Sequence, residues 1–154
     1  MINDKENFDF NDVPNGWAVC AGTDCPKAAA CLRHLTYRHV PHEQTTAMCV
    51  MPWAQAEGHC PFYAPIEKVT LARGLNGLFR RLRSRDARHD LRIGLTKHLG
   101  STGSFYRYKN GERWMSPALQ EWILQQLQTF GVELEKPFDE YKESYLFMPT
   151  LDMP

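Results

Sequence analysis

Long apolar runs are missing from this chain. No stretch of about 18 consecutive apolar residues occurs, which excludes a membrane-spanning helix. The opening segment MINDKENFDFNDVP is acidic and has no apolar stretch, so no signal peptide is expected there and the expected location is the cytoplasm. Cysteine is absent from the last 94 residues, and an odd total of five without a secretion signal argues against a disulfide framework. There is no P-loop, no Gly-x-Gly-x-x-Gly, no Gly-x-Ser-x-Gly and no His-Glu-x-x-His. Internal repeats and low-complexity segments are lacking as well. Even net charge is missing, with 18 Lys+Arg against 18 Asp+Glu. What remains is sufficient for a core: 154 residues, 43% hydrophobic and 12% aromatic, rule out global disorder.

The zero balance hides a segregated distribution. Residues 1–19 sum to −3, 20–67 to −1, 68–113 to +9 and 114–154 to −5. Nine of the twelve bases in the positive block are arginine, whose guanidinium makes forked contacts to phosphate. One reading is a solvated helix face that pairs with the chain's own acidic ends. The other is a polyanion site.

Residues 1–19 read as an extended arm with turns, given Pro14 and Asn15-Gly16. A helix is expected from Pro26 to about Arg38, with Ala28, Cys31, Leu32 and Leu35 on one face. Four prolines and Gly58 make residues 40–65 irregular loop, which in a compact domain needs something to fix it. A second helix is expected over Ile66–Leu82, a third over Asp86–Leu99 ended by Gly100, and a last one from Ser116-Pro117 to Gly131. The aromatic, acidic tail from Pro137 is expected to dock on the body. The fold class is thus mainly α: a small helical bundle (66–154) behind a loop-rich N-terminal cysteine module (1–65), with room for one short β-hairpin near 105–114.

All five cysteines fall between positions 20 and 60, spaced Cys20-x4-Cys25-x5-Cys31, then Cys49 and Cys60. Buried cysteines can simply act as small hydrophobes. Clustering on a Pro-rich segment with little core of its own favours metal, with Cys20, Cys25, Cys31 and Cys60 as ligands. Cys49 or His59 is a substitute, and His34 a weaker one. Four thiolates on one zinc need sulfurs about 3.8 Å apart, whereas Cys25 at a helix cap and Cys31 inside that helix would be offset by about 9 Å along the axis. A multi-iron cluster spans that gap more easily, and Cys25-Pro26 and Cys60-Pro61 match a ferredoxin feature. The helix N-terminus beside Cys25 would hold thiolates in the anionic form. An iron–sulfur cluster is therefore preferred over zinc.

Residues 94–130 resemble the helix-turn-helix of phage-repressor-type regulators. That resemblance implies a first helix over Arg92–Leu99, a turn at Gly100-Ser101 and a recognition helix over Thr102–Asn110, with Gly103 departing from the usual pattern. Ser104, Tyr106, Arg107 and Lys109 would then read a major groove. Arg113 and the block from Arg80 to Arg92, which includes Arg81 and Arg83, would reach phosphates. A rival reading takes the alternation around Asn110-Gly111 as a hairpin in which Lys109 opposes Glu112. Over nearly its whole length the chain also resembles an uncharacterised family of small bacterial proteins, a domain of unknown function found in gut anaerobes. The residues that carry it are FDFNDVPNGW, the C-x4-CP-x4-CLR of Cys20–Arg33, the CPFY of Cys60–Tyr63, FYRYKNGER, SPALQEWI and PFDEYKESY. This resemblance implies no mechanism, and Cys49 lies outside its pattern.

Catalysis by His89 or His98 is the weakest expectation, since lone histidines on polar helix faces are usually solvated. The cysteine spacing does not match the Cys-x3-Cys-x2-Cys of radical adenosylmethionine enzymes, and no Cys-x-x-Cys dithiol is present. The expected function is a cytoplasmic metal-binding protein whose basic helices bind DNA as a small regulator. The alternative is a metal-stabilised protein-interaction module meeting an acidic protein partner, and a third reading is an electron carrier. No membrane association is expected.

Overall fold

A computed structural model describes residues 8–147, which fall into two compact units: residues 8–68 with 144–147, and residues 69–143.

The first unit has little regular structure. Short 3-10 turns form at Phe10–Asp12, Ala28–Ala30 and Pro52–Ala54, and one seven-residue helix, α1, spans Leu32–Arg38. Its apolar centre is small: Trp17, Val19, Leu32, Leu35, Tyr145 and Phe147 are buried. Rings knit it together, with Trp17 edge-on to Phe147 at 5.3 Å and Phe8 at 5.4 Å from Tyr145. Thr36 is also buried, and its hydroxyl donates to the Leu32 carbonyl one turn back, which removes the cost of an unpaired polar group.

The continuous helix expected over 26–38 does not form. Cys31 is extended (φ −101°, ψ 123°), forms an antiparallel bridge with Pro65, and splits the segment into a 3-10 turn and α1. The Leu32 N–H donates to Ala64 and the Ile66 N–H donates to Ala30, so pairing with distant backbone outweighs local helix periodicity.

The second unit carries four helices: α2 (Asn76–Arg81), α3 (Arg85–Leu99), α4 (Thr102–Lys109) and α5 (Pro117–Thr129). Strand β1 (Lys68–Arg73) pairs antiparallel with β2 (Glu140–Tyr145). Serines start the three longer helices. The hydroxyls of Ser84, Ser101 and Ser116 accept from the N–H groups of Ala87, Ser104 and Leu119. Inward faces of these helices supply one core built on Leu78, Leu91, Leu95, Leu99, Phe105, Met115, Leu119, Ile123 and Leu127.

The helical content was expected, but the sheet was not, and together they make a small α/β fold. The helix predicted over 66–82 is strand up to Arg73, turns at Gly74 (φ +81°) and is helical only from Asn76. Its first half is drawn into pairing with β2, and Ala72 also exchanges backbone hydrogen bonds with Met115. The hairpin predicted near 105–114 is overturned by α4. Phe105 and Tyr108 are both buried in one core, which three-residue spacing permits on a helix and strand alternation forbids. Asn110-Gly111 closes the helix instead: Gly111 (φ +77°) donates to Tyr108 and Glu112 donates to Arg107, a Schellman ending.

Candidate functional site

The first unit gathers the cysteines through its loops. Cys20 follows Val19, which pairs in parallel with Cys49. Cys25 heads the turn in which Ala28 donates to its carbonyl, Cys31 is the N-cap residue of α1, and Cys60 begins a turn closed by Tyr63. Cys20, Cys25, Cys31 and Cys60 all line one pocket, whose wall also includes Arg33 and His34. A second depression is lined by Cys20, Cys25 and Cys60 together with the exposed Cys49. Gly22 lets the chain pass close to the thiols, since a Cβ there would lie 3.4 Å from the Cys20 sulfur.

Cys31 lies outside any helix interior, so the 9 Å axial offset expected between Cys25 and Cys31 does not apply. The helix N-terminus stands at Cys31 and not beside Cys25. Among the described residues, no group of three or more Cys, His, Asp or Glu side chains is gathered closely enough to hold one metal ion. Shared lining of a pocket is therefore what unites the four thiols. The substitutes lie less favourably. His34 Nδ1 is 3.0 Å from the Cys20 carbonyl, and exposed His59 is tied by its backbone to Ala56.

Arg33 is the functional candidate that spacing arguments missed. Its Nε donates to the Phe62 carbonyl and its Nη1 to the Ala18 carbonyl, both at 2.7 Å, and its guanidinium lies 4.0 Å from the Trp17 ring centroid. Burial pushes its pKa below the ordinary arginine value, while the nearby thiols of Cys31, Cys60 and Cys20 oppose that shift. A cation fixed at the wall of a thiol pocket offsets the negative charge that metal-bound thiolates would bring.

In the second unit the predicted nucleic-acid residues divide. Arg80, Arg83, Tyr106 and Arg107 are exposed. Ser104 is buried at 5% exposure, so it presents nothing to a groove. Arg81 is occupied by the carbonyls of Gly77, Glu135 and Lys136. Lys109 donates to Asn76 Oδ1 at 2.7 Å, and the Arg113 guanidinium lies 6.0 Å from the Tyr108 ring. Of the acidic residues 133–143, Glu140 forms an ion pair with Arg73, and Asp139 caps α2 through both oxygens, on the N–H groups of Asn76 and Gly77. Among the described residues, Arg80, Arg83, Arg85, Arg88, Arg92 and Arg107 form no ion pair, so the acidic segment leaves this face uncovered. Of the two histidines considered as bases, His98 is stacked on Trp122 at 4.3 Å.

A cysteine-lined pocket in one unit and an uncovered arginine face in the other define the chain's two candidate sites. A family model, described as a family of unknown function (DUF6078), matches residues 2–147, and the chain belongs to that family. Neither the curated proteins nor the solved structures contain a match to it. Among the described residues, no helix is long and apolar enough to cross a membrane.

Proposed function

We propose that the protein binds a metal through Cys20, Cys25, Cys31 and Cys60, as an iron–sulfur cluster in preference to zinc. The observation that carries this reading is the convergence of four cysteines, spread over residues 20–60, on the lining of one pocket. A segment this poor in regular structure and apolar centre gains from a metal staple, because binding free energy then becomes folding free energy. The prolines after Cys25 and Cys60 favour the cluster.

The second part of the proposal is that the arginine face of α2, α3 and α4 meets nucleic acid, with the whole acting as a small cytoplasmic regulator responsive to metal supply or redox state. Its support is the set of exposed arginines without ion pairs and the order α3, Gly100, α4, which suits the repressor-like reading with Tyr106 and Arg107 turned to solvent.

Anaerobic purification followed by an absorption spectrum and elemental analysis tests the first part. Iron with acid-labile sulfide, or zinc, is expected, and Cys20→Ser or Cys60→Ser should lose most of it. A colourless, metal-free preparation overturns it. A mobility-shift assay across salt concentrations tests the second: binding should weaken steeply with salt and with neutralisation of Arg80, Arg83 and Arg107. No binding at low salt favours a metal-stabilised module for an acidic protein partner instead.

A further inference from the structure

Cations from three helices of the second unit meet in one place. Arg80 on α2, Arg88 on α3 and Lys109 at the end of α4 line an open basin together with Phe79, Asn76 and Asp139. Lys109 is held there by its hydrogen bond to Asn76 Oδ1, with its ammonium 6.0 Å from the centroid of the Phe79 ring. One of its three N–H donors is thus used to fix the side chain, and two remain for a ligand. Arg80 and Arg88 are exposed, and neither forms an ion pair among the described residues. The single carboxylate, Asp139, already accepts from two backbone N–H groups at 3.1 and 2.9 Å, which disperses its charge into the start of α2. The basin therefore presents three cations against one committed anion, on rigid elements that reach it from three separate points of the sequence.

We infer that this basin is a phosphoryl-group site, in which Arg80 and Arg88 supply forked guanidinium donors and Lys109 a fixed ammonium. A doubly charged or bridging oxyanion suits three convergent cations better than a monovalent carboxylate does. The half-buried Phe79 ring forms part of the basin wall, with its centroid 6.0 Å from the Lys109 ammonium. Arg88 belongs to the same arginine block, and the basin joins it to Arg80 and Lys109 in a defined geometry within a diffuse positive face. The inference deepens the nucleic-acid reading and rests on it for the source of the phosphate, a nucleic-acid backbone. The same chemistry would also hold the phosphate of a small molecule.

The experiment compares the full chain with Arg88→Gln, Lys109→Gln and, as a control in the last turn of α3, Lys97→Gln. Each is titrated with inorganic pyrophosphate and with a short labelled oligonucleotide duplex, after far-ultraviolet circular dichroism confirms equal folding. Arg88→Gln and Lys109→Gln should each weaken binding about tenfold and lower the salt slope by about one, while Lys97→Gln stays near the parent. Oligonucleotide binding that is competed by pyrophosphate assigns the backbone as source. Pyrophosphate binding without oligonucleotide binding sinks the nucleic-acid reading and leaves the basin standing. Oligonucleotide binding that Arg88→Gln and Lys109→Gln do not change, or that Lys97→Gln weakens equally, overturns the basin alone. Binding of neither probe overturns both.

Discussion

At the scale of single residues, two side chains organise their surroundings from far away in sequence. Arg33 ties the carbonyls of Ala18 and Phe62 to one planar fork and lies over Trp17. Lysine cannot make the two divergent N–H bonds, so Arg33→Lys should cost about 1–3 kcal/mol despite keeping the charge. Denaturant unfolding followed by tryptophan fluorescence measures it, and an unchanged midpoint would refute the fork. Asp139 does similar work at the start of α2, and it explains two glycines. A Cβ on Gly74 would lie 2.8 Å from the Asp139 Cβ, at a backbone φ of +81°. On Gly77 a Cβ would meet only the movable carboxylate oxygen, at 2.5 Å. Gly74→Ala should therefore destabilise more than Gly77→Ala, by about 2–3 against about 1 kcal/mol. Combining Gly77→Ala with Asp139→Ala should cost less than the sum of the two, because the clash and the cap involve the same carboxylate.

At the scale of elements, local chemistry explains what was legible. The caps Ser84 and Ser116, the N1 proline at Pro117 and the closing glycines Gly100 and Gly131 lie in the sequence beside their helices, and α3 and α5 form within a residue or two of the expected bounds. Helix α4 depends on the same chemistry. Ser101→Ala removes the acceptor for the Ser104 N–H and should cost about 1 kcal/mol, read from thermal unfolding. Loss of a few tenths or less would mean that burial of Phe105 and Tyr108 alone sets the start of this helix. Where the expectation failed, a distant partner had intervened. Pro65 pairs with Cys31 and breaks the first helix, and β2 pairs with residues 68–73 and converts half of the second into strand. The Asn110-Gly111 dipeptide suits a hairpin turn and a helix ending equally, and buried Tyr108 decides for the helix.

At the scale of the whole molecule, the two units differ in what holds them. Residues 69–143 share a leucine-rich core, whereas residues 8–68 with 144–147 rest on a few rings and backbone bridges. On the metal reading proposed above, a chelator should raise amide hydrogen exchange across residues 20–60 by about tenfold or more, while residues 85–129 keep their protection. Equal exchange with and without chelator would mean that the loops hold without a staple. The neutral total charge, which by itself argues against a polyanion partner, is irrelevant at the distance over which charges act. Screening at physiological salt limits that distance to about 8 Å, so the uncovered arginines of α2, α3 and α4 govern what approaches them.

The sequence by itself determined the helical segments 85–99 and 117–129, the absence of a long apolar helix, the cysteine set and the positive block, because each is written in neighbouring residues or in composition. Only tertiary structure decided that Cys60 joins Cys20, Cys25 and Cys31 on one pocket with Arg33 at its wall, and that Arg80, Arg88 and Lys109 share a basin. It also decided that Asp139 begins a helix more than 60 residues before it. The physical reason is the same in each case. These arrangements are made by backbone pairing and side-chain approach between distant parts of the chain, and such contacts leave no periodicity in the sequence to be read.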